Sequence, residues 1–363
     1  MKKILFFPYH PDLWIVITHM SLLKEYEIFG FASFKEDDSL ILAMNREAGI
    51  EGKPYEQLIQ GCDAVVIVDN YRGFRDDKYH SIIDDASKLR KEILVTPLAC
   101  LQLDLGEYQG RYRLIEHLPD GAEAIYCEYD AVRRLATNRR YEINVPVIGV
   151  VAQGKHCGKF ETQLMLLESV GHKYCVPFVS SNALGALFGA YTVPSFLFDT
   201  ISFEEKIMMF NYFVHKVSQE CDPDLIVLGI PEGVTSFERQ EFNSYSEHAL
   251  VITAAVDIDF AILCMYFMRE PIIEAGIRRF IEYCENRYRV PIKAVAISKT
   301  AVEVPGEYFE DIIFEYLDEP TLSKHYPDIG RIGVPVISLV NREKSGAAIN
   351  ELLQMLRDNT GTL

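Results

Sequence analysis

Short, near-continuous apolar runs alternate with amphipathic stretches along this chain, and that alternation narrows the possible folds more than any other feature. Ile4–Phe7, Ile28–Ala32, Ala64–Val68 and Ile93–Val95 predict buried strands, with Leu13–Tyr26, Pro54–Gln60 and Lys78–Arg90 as helices between them. Strands that are apolar on both faces and separated by helices pair in parallel under two helical layers. The expected class is therefore α/β, with a further strand at Ala124–Cys127. Residues 1–144 read as a Rossmann-like or flavodoxin-like parallel-sheet domain. Its first strand runs into Pro8-Tyr9-His10-Pro11 and not into G-x-G-x-x-G, which argues against dinucleotide binding by this half.

The second half, residues 145–363, opens with a different signal. Val147-Ile148-Gly149-Val150-Val151 predicts a strand, Ala152-Gln153-Gly154-Lys155-His156-Cys157-Gly158-Lys159 a glycine-bearing loop, and Phe160 onward an amphipathic helix. Strand, glycine loop, Gly-Lys and helix are the context of a P-loop. Small residues let backbone N–H groups close around phosphate oxygens, a Lys reaches the β/γ-phosphates, and the helix N-terminus favours the anion. Two registers compete. One uses Gly149, Gly154 and Lys155. The other uses Gly158 and Lys159, starts the loop at Gln153 where the strand ends, and places Phe160 at the usual hydroxyl position. The second is preferred, with Gly154, Lys155, His156, Cys157, Gly158, Lys159 and Phe160 as the ligand-binding loop and Thr162 as the nearest hydroxyl for Mg²⁺. A helix N-terminus lowers a thiol pKa, which makes Cys157 a candidate nucleophile.

Downstream, His172–Phe178, Asp224–Ile230, Ala249–Ala255, Phe260–Met265, Ala294–Ser298 and Val334–Val340 predict strands, and Phe203–Gln219, Ile273–Tyr288 and Gly346–Leu356 helices. The small-residue stretch Ser180–Ala190 could admit a ligand to the backbone. Glu232 ends an apolar strand, where a metal- or water-orienting carboxylate belongs; it and Lys159 are the candidate catalytic residues. Ser298-Lys299-Thr300 and Asn341-Arg342 are candidates for holding a nucleotide base.

Charge and cysteine usage bound the partners. With 36 Lys+Arg against 53 Asp+Glu the net charge is −17, which argues against broad binding to nucleic acid or an anionic membrane. Arg133, Arg134, Arg139 and Arg140 form the densest basic cluster and predict a solvated helix and linker, or an anion-facing patch. No apolar run nears the roughly 20 residues of a membrane span, and no cleavable leader is evident. The eight cysteines include no C-x-x-C pair, the pattern of buried single thiols in a reducing cytoplasm.

Several segments resemble the clostridial peptide maturation system proteins, found beside radical-enzyme maturases in gene clusters for ribosomally made natural products. They are Lys3-Ile4-Leu5-Phe6-Phe7-Pro8-Tyr9 with Tyr26-Glu27-Ile28 and Ala32-Ser33, the loop Gly154–Thr162 with Gln163-Leu164, and Pro223–Gly233. More remotely, the layout is similar to a two-domain Rossmann-like plus P-loop family that includes D-glutamate N-acetyltransferases. The matching elements are Gly158-Lys159-Phe160-Glu161-Thr162, Glu232-Gly233 and the loop Gly185–Pro194.

These resemblances imply an N-terminal Rossmann-like domain followed by a P-loop NTPase-like domain. They also imply an accessory protein in peptide maturation using ATP or GTP with Mg²⁺, its partners a precursor peptide and a radical maturase. Thr162 and Glu232 would then hold the metal. The alternatives are a CoA-dependent N-acyltransferase using acetyl-CoA, with Glu232 or His156 as general base, and a non-catalytic escort with a decayed loop. Assembly into a homo-oligomer is left open.

Overall fold

The structure, a computed structural model, describes residues 1–34, 38–50, 53–69, 76–103, 105–121, 140–235, 246–268, 274–303, 313–317, 331–339 and 342–360. Two compact units emerge. The first is Met1–His117 with Asn182–Ala190; the second is Leu118–Ser181 with Tyr191–Leu363. The division thus falls at 117/118 and not at the expected 144/145, and a short later segment is given back to the first unit. The expected strand Ala124–Cys127 and the basic residues Arg133, Arg134 and Arg139 lie outside the described residues.

In the first unit, β1 (Lys2–Phe7), β2 (Tyr26–Phe31), β3 (Ala64–Ile67), β4 (Glu92–Val95) and β5 (Arg113–Leu114) pair in the order β2-β1-β3-β4-β5. Every pairing is parallel, and 2-1-3-4-5 is the flavodoxin-like order. α1 covers only Leu13–Thr18, with Met20–Leu22 in a 3-10 turn, so the expected helix to Tyr26 is cut short. Tyr26, Phe29 and Phe31 belong instead to β2, where aromatic residues favour a strand. At the C-terminal ends of β1 and β3, His10 sits with Nε2 3.4 Å from Asp69 Oδ2 and accepts the Asp12 N–H at Nδ1. Burial depresses the imidazole pKa, but Asp12 and Asp69 outweigh it and leave the value raised.

The second unit holds β6 (Val147–Ala152), β7 (Phe178–Ser180), β8 (Tyr191–Thr192), β9 (Ile226–Gly229), β10 (Phe260–Phe267), β11 (Ile292–Glu303), β12 (Ile313–Tyr316), β13 (Arg331–Ile332) and β14 (Val334–Ser338). Their order is β13-β14-β11-β10-β6-β9-β7-β8, with β12 antiparallel on β11. β6 lies in mid-sheet, between strands reached by crossovers in opposite directions. That is the switch point at which open α/β sheets bind ligands.

The sheet is buried on both faces. Val147, Val151, Ile226, Leu228, Ala261 and Leu263 share a core with Phe210, Phe213 and Val217 of the helix Phe203–Glu220 and with the helix Glu274–Tyr288. Ile148, Val150, Val227 and Ile262 are as fully buried on the opposite face.

Three expectations change here. Ala249–Ala255 is a helix, Glu247–Ala255, because a short apolar run does not distinguish strand from helix by period. The second strand is Phe178–Ser180 and not His172–Phe178, since residues 171–177 turn before the chain reaches the sheet. Of the thiols expected to be buried, Cys175 and Cys221 are exposed and Cys100 is half-buried.

Candidate functional site

β6 feeds residues 153–158 into the helix Lys159–Val170. Gly149 lies inside β6, where an added Cβ would meet Ile258 Cγ2 at 3.2 Å and Ala261 Cβ at 3.3 Å. It is a packing glycine, and the geometry supports the register that ends on Gly158-Lys159. The two loop glycines serve the loop itself. A Cβ at Gly154 would lie 2.2 Å from the Tyr266 hydroxyl. Gly158 has φ +76° and faces Leu339 and Ser298.

The loop's carbonyls are held by donors from elsewhere in the sheet. Thr235 Oγ1 donates to Gln153 O at 2.5 Å, Tyr266 Oη to Lys155 O at 2.5 Å, and Thr300 Oγ1 to His156 O at 2.7 Å. Thr162 N and Oγ1 both donate to Gly158 O. Gln153 N–H is itself used on Cys264 O; with most of the carbonyls held in this way, what the rest of the loop can offer a ligand is chiefly N–H groups, which suit an anion. Thr300 reaches the loop because β11 is bulged. Met265 to Phe267 advances two residues while the paired Ile297 to Ala301 advances four, and the two extra residues re-aim Ser298–Thr300. These residues brace the loop from β11. Of Asn341-Arg342, Asn341 lies outside the described residues.

Lys159 is half-buried, and its ammonium donates to Gly154 O at 3.4 Å and to Glu232 O. Burial lowers its pKa below the ordinary lysine value. Glu232 stands just past β9 with φ +55°. One carboxylate oxygen lies 3.4 Å from Lys155 Nζ and the other 3.3 Å from His248 Nδ1. His248, at the start of the helix Glu247–Ala255, is buried against Phe198. The structure thus brings Lys155, Lys159, Glu232 and the loop together and adds His248, Tyr266 and Thr235, which sequence reasoning missed; Thr300, named there as a candidate for holding a base, braces the loop instead. Long-range contacts supply them; only the polar Ser298-Lys299-Thr300 inside an apolar strand hinted at any.

Other candidates are placed differently. Thr162, expected to offer a hydroxyl to Mg²⁺, is fully buried, and its Oγ1 is committed to Gly158 O at 2.8 Å beside Cys264 Sγ at 3.4 Å. Cys157 is buried and its thiol pKa is pushed far up by burial, which removes it as a thiolate nucleophile. His156, exposed at the loop's tip, packs edge-on against Phe314 at 5.0 Å and near Tyr316. Phe160 is buried. Glu161 is buried and paired with Lys299 at 2.7 Å. Asn182–Ala190, the small-residue stretch, belongs to the first unit, where Asn182 Nδ2 donates to Asp12 Oδ2 at 2.6 Å.

Among the described residues, no group of three or more His, Cys, Asp or Glu side chains is arranged to hold a metal ion. The donor set fits Mg²⁺ only in the form in which Glu232 contributes one carboxylate and phosphates and waters complete the shell. Among the described residues no helix is long and apolar enough to cross a membrane.

No family model and no curated protein matches the sequence. Among solved structures, a DUF1611 family protein from Anabaena variabilis is similar over 98% of this chain and 100% of that one, with TM-score 0.59 and 13% identity. A variant of SsGBP (98% and 97% covered, 14% identity) and the signal recognition particle 54 kDa protein of Aeropyrum pernix K1 in complex with GDP (78% and 68%, 13%) reach TM-scores of only 0.34 and 0.28. The likeness to the DUF1611 family protein shows the fold, a mixed α/β chain.

Proposed function

We propose that residues 153–159 bind the phosphates of a nucleoside triphosphate, ATP or GTP with Mg²⁺. We propose further that the protein is a cytoplasmic accessory in maturing a ribosomally made peptide, working with a precursor peptide and a radical maturase. One observation carries the nucleotide reading. The Lys159 ammonium lies across a loop whose carbonyls are already held by Thr235, Tyr266 and Thr300. The biological setting rests on the sequence resemblance of segments 3–9, 154–164 and 223–233. Bound Mg²⁺ would neutralise charge developing on the transferred phosphoryl group. Lys159 would exchange its two carbonyls for phosphate oxygens, and Glu232, steadied by Lys155 and His248, would orient a metal-bound or attacking water.

Titration calorimetry with each nucleotide and Mg²⁺ tests the reading. A hydrogen bond to a charged group contributes about 1.5–3 kcal/mol, so Lys159→Ala is expected to weaken binding by about 10- to 100-fold at unchanged circular dichroism. Equal binding by both proteins, or none by either, would overturn it. The buried ammonium gives a second readout. Its pKa is lowered in the free protein, and an anion beside it raises it again. Binding then takes up protons in the alkaline range, and affinity falls as pH rises through the lowered value. Heats measured in buffers of different ionisation enthalpy detect that uptake.

One observation favours a second reading. With Thr162 Oγ1 spent on Gly158 O and Phe160 at the hydroxyl position, the loop suits a diphosphate that needs only anchoring, as in acetyl-CoA. Glu232 would then be the base for N-acyl transfer. Thermal shift decides, since a ligand at 100 times its Kd stabilises by about 2.7 kcal/mol. A shift with acetyl-CoA and none with ATP or GTP selects this reading.

A further inference from the structure

We propose that Cys175 and Cys221 are a redox modification site, closing to a reversible intramolecular disulfide in response to a peroxide. They are the exposed pair among the described free cysteines, while Cys62, Cys157, Cys264 and Cys284 are buried and Cys100 is half-buried. Although 46 residues apart, they meet: Cys175 Sγ donates to Cys221 O at 3.4 Å.

Both are anchored in register. The Cys175 N–H donates to Asp224 Oδ2 at 2.7 Å and Asp224 N–H returns to Cys175 O at 3.0 Å, which fixes Cys175 beside the approach to β9. Cys221 caps the C-terminus of the helix Phe203–Glu220, and Asp222 turns the chain away with φ +45°. Two accessible thiols sit on anchored backbone, one of them already bonded to the other residue's carbonyl, and a disulfide demands that the two residues be neighbours in this way.

Cys221 is the resolving sulfur, and Cys175, whose backbone N–H and C=O are both tied to Asp224, is the attacking one. Its thiolate attacks a peroxide oxygen; an S–O bond forms, the O–O bond breaks, and hydrogen peroxide leaves as water after taking up the thiol's proton. The Cys221 sulfur then attacks the sulfenic sulfur; the S–S bond forms, the S–O bond breaks, and hydroxide takes the Cys221 proton as a second water. Two thiols and one peroxide give one disulfide and two waters. The bond would close a covalent loop over β7, Asn182–Ala190, β8 and the helix Phe203–Glu220, the crossover that leads into the strand before Glu232.

The test is to treat the full chain with a small excess of hydrogen peroxide, alkylate, and measure the intact mass and a peptide map. The expected result is an intact mass short of two alkyl groups relative to the untreated, alkylated chain, and a linked peptide joining Cys175 to Cys221 whose mass is about 2 Da below the sum of its two thiol peptides. Dithiothreitol reverses both, and Cys175→Ser and Cys221→Ser each abolish them. Hydrogen exchange of the helix Phe203–Glu220 slows in the oxidised form. A link between chains, Cys175 carried to sulfinic acid without a bond, or two thiols still alkylated after treatment would each overturn the proposal. None of these readouts depends on nucleotide or CoA, so the outcome is separate from that of the loop.

Discussion

Lys299→Met is expected to destabilise the second unit by about 3 kcal/mol, the low end of what a broken buried pair costs. The Glu161 side chain is only 5% exposed, and the Lys299 ammonium 2.7 Å away is its charge partner, itself 31% exposed. Removing the lysine leaves a carboxylate that water cannot reach, and that desolvation cost decides the sign. The residual exposure of Lys299 moderates the loss. Glu161 also occupies the first turn of the helix Lys159–Val170, where the helix N-terminus favours negative charge by a few tenths to about 1 kcal/mol; this softens the loss without cancelling it. The double variant Glu161→Gln/Lys299→Met removes both charges and is expected to recover most of the stability. Urea denaturation of the four proteins measures this directly. A single-variant loss below about 1 kcal/mol would mean the pair behaves as a surface ion pair, contrary to its burial.

The second large effect is expected at Gly158→Ala. Its φ of +76° costs an L-residue about 1–2 kcal/mol. The new Cβ would also lie 2.6 Å from Leu339 Cδ1 and 3.1 Å from Ser298 Cβ, an overpacking that adds about 1–3 kcal/mol. Gly189→Ala separates the two terms, because Gly189 has φ +83° and nothing within 4 Å of the added carbon. It should lose the backbone term alone. Leu339→Ala should relieve part of the loss at position 158 and none at 189. Thermal unfolding measures the series. If the two alanine variants lose equal stability, contact with Leu339 and Ser298 is not what requires glycine there. Phosphate-ligand affinity should fall along with stability at position 158, since the strained residue caps the helix that presents its N–H groups to the loop.

What could be read from the residues was what local order determines. Val147–Val151, the glycines and Lys159 lie within a dozen residues, and the change from an apolar run to a helical period marks where the loop must sit. The braces of that loop come from Thr235, Tyr266 and Thr300, each from 80 to 145 residues away, so only the sheet order brings them in. Ala249–Ala255 failed as a strand because a short run of alanine, leucine, valine and isoleucine fits either period. Thr162 failed as a ligand because a threonine inside a helix can spend its hydroxyl on the carbonyl four residues back, as it does on Gly158. For Cys221, flanked by Glu220 and Asp222, polar neighbours were already a sign of exposure; Cys175, beside Val176 and Pro177, gave none.

The short return of Asn182–Ala190 to the first unit has a consequence for how the molecule can be divided. One scission cannot yield both halves whole. A piece ending at His117 forfeits the amide that Asn182 gives Asp12, and a piece beginning at Leu118 retains nine residues whose packing partners have been removed. Any exchange of one half for a foreign counterpart must therefore transplant two stretches of chain together.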